Sequence, residues 1–237
     1  MKSLFILTSA INSKFGVYKP DQRLQQTIDS INSIKQYVPD AKIAIVEMTG
    51  ISPTAEQVET LKSHVDYFYD FTTDEAVQDI YNSTDNWDIV KNTTEVMVFS
   101  NVLSDMIEQG IDQQFDRIFK MSGRYILTEN FDLSYYDTVA DRIVVLQRKS
   151  SQFPPQVTDG MHFQYMSRLW SWPAGQTETV LDSYSQGFVA MAERIDQGGY
   201  FDIEHMLFKY LPADTVTEIP RVGLRGLLGP NGIAIED

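Results

Sequence analysis

The feature that most constrains this chain is a regular exchange, across its first half, between short apolar runs and segments with helical spacing. Ser3-Leu-Phe-Ile-Leu-Thr8 has the length and branching of a buried strand. Leu24, Ile28, Ile31 and Ile34 then recur on one helical face, with Asp21 placed to cap the start and Pro39 just past the end. Lys42-Ile-Ala-Ile-Val-Glu47 reads as a second buried strand ending on a carboxylate, Ser52-Pro53 opens a helix running through Leu61, and Val65 to Tyr69 supplies a third strand. This alternation predicts βαβ units and an α/β fold with a mostly parallel central sheet flanked by helices. Ligands of such sheets usually sit at the carboxyl ends of the strands.

The second half predicts a more mixed sheet. Residues 86 to 109 form a long helical stretch, and Asp116 to Met121 is a fourth strand running into Ser122-Gly-Arg-Tyr125. Arg142 to Leu146 and the alternating run His162 to Trp172 read as further strands. Leu181, Tyr184, Phe188, Met191 and Ile195 make a helical stripe ended by Gly198-Gly199, and a short helix from Asp202 to Leu211 stops at Pro212. Glycines at every third position from Gly223 to Gly232 permit turns but suggest no regular element. With 237 residues, 43% of them hydrophobic, and no linker or repeat, one domain is expected.

Composition removes several classes of function. The absence of cysteine excludes disulfides and thiolate metal sites, and His64, His162 and His205 lack metal-ligand spacing. A formal net charge of −14 opposes nucleic acid or an anionic membrane as the main partner. No apolar run reaches the roughly 18 residues of a membrane span and no signal segment is evident, which predicts a soluble, cytoplasmic protein. The Asn82 and Asn92 glycosylation patterns are read as chance matches. The basic residues are unevenly spread, with 8 of the 19 before Asp116, so an acidic body could still gather cations around a small anion.

Lys120, Ser122, Gly123 and Arg124 fall within five residues, where the fourth strand opens into a loop. Gly123 would let the backbone approach a ligand, Arg124 offers a fork of donors suited to phosphate, and Lys120 adds a point charge. The plainer reading is a strand end whose cations meet surface carboxylates.

A strand ending in Lys-hydrophobic-Ser-Gly-Arg-Tyr, here 120 to 125, resembles a segment of bacterial and viral glycosyltransferases of GT-A fold. Most GT-A enzymes carry at this strand end an Asp-x-Asp pair holding a divalent metal on the donor diphosphate. This chain has none there, so the resemblance implies cations in the metal's place and no required cofactor, as in the metal-independent mucin-branching enzymes of that fold. It further implies a nucleotide-binding half (1–125) and a half binding the acceptor (126–237, with the tail). The donor, a nucleotide-sugar and most simply a UDP-sugar, would meet Thr8, Ser9, Ala10, Glu47, Lys91, Lys120, Ser122, Gly123 and Arg124, with Arg221 and Arg225 of the tail folding over it. Each has a bland alternative. Glu47 can be a solvated strand-end carboxylate; Arg23 and Lys91, helical cations that could reach the donor, can be surface residues; and Lys91 with Glu95 can be an i, i+4 helix pair.

Phe201-Asp-Ile-Glu-His-Met-Leu207 resembles the acidic motif that opens a helix below the acceptor site of many GT-A enzymes. An inverting transfer needs one base for the acceptor hydroxyl, and Glu204 comes first, Asp202 second. Asp202 can equally cap that helix. A saccharide acceptor would lie against His162, Arg168, Trp170 and His205, the first three with Trp172 on one face if the run is a single strand; that face can equally be an aromatic edge of the core. Two other readings stay open: a nucleotide-sugar-binding module without catalysis, and a nucleotidyltransferase-like enzyme.

Overall fold

The computed structural model describes all of residues 1–237. Its first half follows the order β1 (Ser3–Ser9), α1 (Pro20–Tyr37), β2 (Lys42–Glu47), α2 (Ala55–Lys62), β3 (Tyr67–Asp70), α3 (Glu75–Ser83), α4 (Trp87–Glu108) and β4 (Arg117–Ser122). The second half adds β5 (Tyr125–Leu127), α5 (Leu133–Thr138), β6 (Ile143–Leu146), β7 (Lys149–Ser150), β8 (Phe163–Gln164), β9 (Leu169–Pro173), α6 (Thr177–Asp196), α7 (Ile203–Tyr210), β10 (Val216–Ile219), β11 (Leu224–Leu227) and β12 (Ala234–Glu236).

Seven strands form the central sheet in the order β10-β6-β9-β4-β1-β2-β3. β1 to β4 are mutually parallel where they pair, and β9 runs antiparallel to both β4 and β6. Because strand side chains alternate between faces, β1 divides itself between two cores. Leu4 and Ile6 join Phe99, Val102, Trp172 and Tyr184 under α4 and α6. Phe5 and Leu7 join Ile31 and Ile34 of α1 on the other side. Both faces are thus covered, which is why β1 reads as an unbroken apolar run. No helix is long and apolar enough to cross a membrane.

Several sequence expectations are corrected. The run from His162 to Trp172 is not one strand: β8 pairs with β7 in a separate small sheet, while β9 enters the main sheet. The alternation itself lapses at the break, where the apolar pair Tyr165-Met166 is followed by the polar pair Ser167-Arg168. α3 was not foreseen; Asp74 caps it by accepting from Ala76 and Val77 N–H. α2 starts at Ala55, because Thr54 and Gln57 form a reciprocal capping box. At α1 the cap position is Lys19, with Asp21 inside the first turn. The glycine-spaced tail does contain regular structure, since β11 pairs with both β5 and β12. Asn92 is 1% exposed and hydrogen-bonded to Tyr200, which closes it to glycosylation.

Candidate active site

A cleft of about 700 Å³ opens over the carboxyl ends of β1 and β4. Thr8 to Ala10 form its floor, the first turns of α4 one wall, and the opening of α7 another. The turn at Leu228 to Asn231 closes one rim.

Lys120 lies beneath this floor. It stands opposite Ile6 on β1 and Trp170 on β9, so its side chain shares their face and meets α4. It is fully buried, and its ammonium reaches Glu95 Oε1 at 2.6 Å, Ser122 Oγ at 3.1 Å and Ser167 O at 2.9 Å. Three donors with three acceptors leave Lys120 nothing for a ligand. Burial alone would push Glu95 up, but Lys120 and Lys91 outweigh it and hold Glu95 down at about 2. Thr8 Oγ1 also donates to Glu95 at 3.1 Å, tying β1 to α4. The sequence pairing of Lys91 with Glu95 is therefore replaced by Lys120 with Glu95.

Lys91 lines the cleft and its ammonium has no hydrogen-bonding or ion-pair partner. Burial disfavours its charge, yet the fields of Glu204, Glu95 and Asp202 prevail and raise it above the ordinary lysine range. Arg124, also lining the cleft, has no salt bridge, and its Nε is buried without a partner. Gly229 packs so close that an added Cβ would stand 3.1 Å from the Arg124 Cζ. Arg23 is buried instead of surface-exposed, and its guanidinium donates to the carbonyls of Ala10, Phe15 and Tyr18. It shapes the 10–18 loop and has little left to offer a ligand.

Two carboxylates open α7, and their surroundings drive them apart. Asp202 caps the helix through His205 N–H and pairs with His205 Nδ1 at 2.6 Å. Burial alone would raise Asp202, but His205 and Lys91 prevail and hold it below the usual range. Glu204 accepts from Ser167 Oγ at 2.6 Å and faces the cleft. Burial and the neighbouring Asp202 raise it, and Lys91 only partly opposes them. A carboxylate shifted upward while its neighbour stays ionised suits a proton acceptor.

The remaining residues divide. Ser9, Ala10 and Ser122 line the cleft, whereas the Gly123 N–H is spent on Thr8 O at 2.9 Å. Glu47 is fully buried; it accepts from Ile11 N–H at 3.0 Å, and burial pushes it up to about 7. It braces the loop after β1 and cannot meet a nucleoside. Arg221 and Arg225 are exposed and lie outside the cleft, so the tail reaches the site through the Gly229 turn. Trp170 is 1% exposed, sealed in the core, because its position faces α6. His205 is fully buried between Asp202 and Ser151, and His162 is exposed away from the cleft. Arg168 lines the cleft but is ion-paired with Asp237.

Sequence reasoning missed Trp87, Ser167 and Phe153, all cleft residues. Only Trp87 carried a signal, being a large aromatic at the start of a polar-capped helix.

No protein-family profile and no curated protein sequence matches the chain. Among solved structures, mouse xyloside xylosyltransferase 1 in its apo form aligns with a TM-score of 0.51 at 10% identity, covering 92% of this chain and 84% of that one. Core-mannan synthase A from Aspergillus fumigatus, in a Mn/GDP form, aligns at 0.46 and 8% identity, covering 92% and 73% respectively. The first likeness is one of fold, and it agrees with the GT-A-type α/β architecture expected from the sequence.

Proposed function

We propose that this chain is a glycosyltransferase that moves a sugar from a nucleotide-diphosphate donor, a UDP-sugar, to a saccharide hydroxyl with inversion and without a metal. The observation that supports it is one cleft holding two unpartnered cations, Arg124 and Lys91, beside a carboxylate with a raised pKa, Glu204. In this reading the acceptor O–H proton passes to Glu204 as the oxygen bonds the anomeric carbon from the face opposite the leaving group. The bond to the diphosphate breaks with its electron pair, and Arg124 and Lys91 offset the charge that departs. Donor contacts come from residues 1–125 and the base from the second half.

The side chains at the end of β4 support a reading without a metal. The strand end that would carry acidic ligands presents Ser122, Gly123 and Arg124, and Glu95 and Asp202 are already engaged by Lys120 and His205. No step is assigned to a metal.

Glu204→Gln tests the reading. Turnover of a UDP-sugar should fall by roughly 10²–10⁴-fold, the span attributed to a positioned base, while UDP affinity is unchanged. Undiminished turnover, or a product that keeps the donor's anomeric configuration, overturns the assignment.

A further inference from the structure

Of the three tryptophans, Trp170 and Trp172 are 1% and 0% exposed, whereas Trp87 is 37% exposed and lines the cleft. The fold makes little use of this indole. It makes no ring–ring contact and its N–H has no partner, and the helix start it occupies is capped by Asn86, which accepts from Asp88 and Ile89 N–H. Phe153 lines the same cleft and is held near the start of α4 by Tyr200. The Phe153 and Tyr200 rings lie 5.3 Å apart, and the Tyr200 hydroxyl meets Asn92 Nδ2 at 2.7 Å and Asp88 O at 3.2 Å. Gln152 adds an amide to the lining, and Asp85, ion-paired with Lys14 at 3.1 Å, adds a carboxylate.

We infer that Trp87 and Phe153 form a binding platform for a pyranose ring of the saccharide acceptor, a subsite that rests on the transferase reading for its role. A pyranose offers a C–H face to an aromatic ring and hydroxyls to amide, carboxylate and indole N–H groups at its edge, which is the mixture present here. Position on α4 separates this subsite from the donor. Glu95, eight residues on and about 12 Å along the helix axis, touches Thr8 at the nucleotide floor. Lys91, about one turn from Trp87, lies between the two and feels Glu204 most strongly among the carboxylates. The Phe153 ring lies 6.0 Å from that of His205, the neighbour of Glu204, so a sugar held between Phe153 and Trp87 would lie beside the base.

Intrinsic fluorescence tests this directly, because the two buried tryptophans are shielded and acrylamide-quenchable emission belongs to Trp87. The probes are cellobiose, lactose, maltose and N,N′-diacetylchitobiose, each added to the full chain with UDP present. At least one should protect the quenchable emission, Trp87→Phe should remove that emission, and Trp87→Ala should weaken the same disaccharide at least tenfold by calorimetry with UDP affinity unchanged. No protection by any of the four while UDP binds would overturn the platform and leave the donor site intact. Protection by UDP alone would also overturn it, since a nucleobase then occupies the indole. Disaccharide protection without UDP binding would keep the platform and sink the transferase reading.

Discussion

A lysine with all three protons committed inside a protein is a structural cation, and Lys120 shows how that differs from a ligand-binding one. It satisfies Glu95, Ser122 and the Ser167 carbonyl, and Ser167 in turn holds Glu204. Lys120→Met would strand a buried carboxylate and should cost roughly 3–5 kcal/mol in urea denaturation, most of it recovered in Lys120→Met/Glu95→Gln. Glu47 gives a pH test. Its folded value of about 7 lies above the 4.5 of a free carboxyl, so folding favours the protonated form. That contribution is fully present below about pH 4.5 and is lost as pH rises through 7. A shift of this size corresponds to roughly 3 kcal/mol, and Glu47→Gln should flatten the stability profile between pH 5 and 8. Glu204 works in the opposite sense for activity: as a base it must be ionised, so turnover should fall as pH drops through its raised value. At this scale the sequence was legible in residue type more than in direction. Lys120 and Trp170 were recognisable as unusual, but the strand phase that sends both under the α4–α6 layer depends on pairing with β1 and β9.

Elements were easier to read than side chains wherever one period persisted. β1, β2, β4, α1, α4 and α6 lie close to their expected bounds because each keeps its apolar face for a full length. The tail defeated that reading, since β11 and β12 are short and owe their existence to β5, about a hundred residues away. Gly223 explains the glycine there. Its φ is +71°, and a Cβ would stand 2.2 Å from the Phe131 nitrogen. Gly223→Ala should therefore cost at least about 2 kcal/mol and expose the tail to proteolysis. Because the Gly229 turn packs on Arg124, the same variant should weaken UDP binding, whereas Arg225→Ala, at an exposed position outside the cleft, should leave it unchanged.

Across the whole molecule, a body of formal charge −14 surrounds a cleft whose two unpartnered cations face inward. Part of their attraction for an anion is exposed to solvent, so UDP binding should weaken as sodium chloride rises from 50 to 500 mM. The arrangement was partly visible in the clustering of basic residues after Asp116, but the selection of Arg124 over Lys120, Arg221 and Arg225 is a product of folding. Isothermal titration of UDP into the chain in excess EDTA tests whether Arg124 and Lys91 hold the diphosphate without a metal. UDP should bind under those conditions, and at least tenfold more weakly, or by about 1.4 kcal/mol, in both Arg124→Met and Lys91→Met. Binding that requires manganese, or that is unaltered in both variants, would contradict that reading.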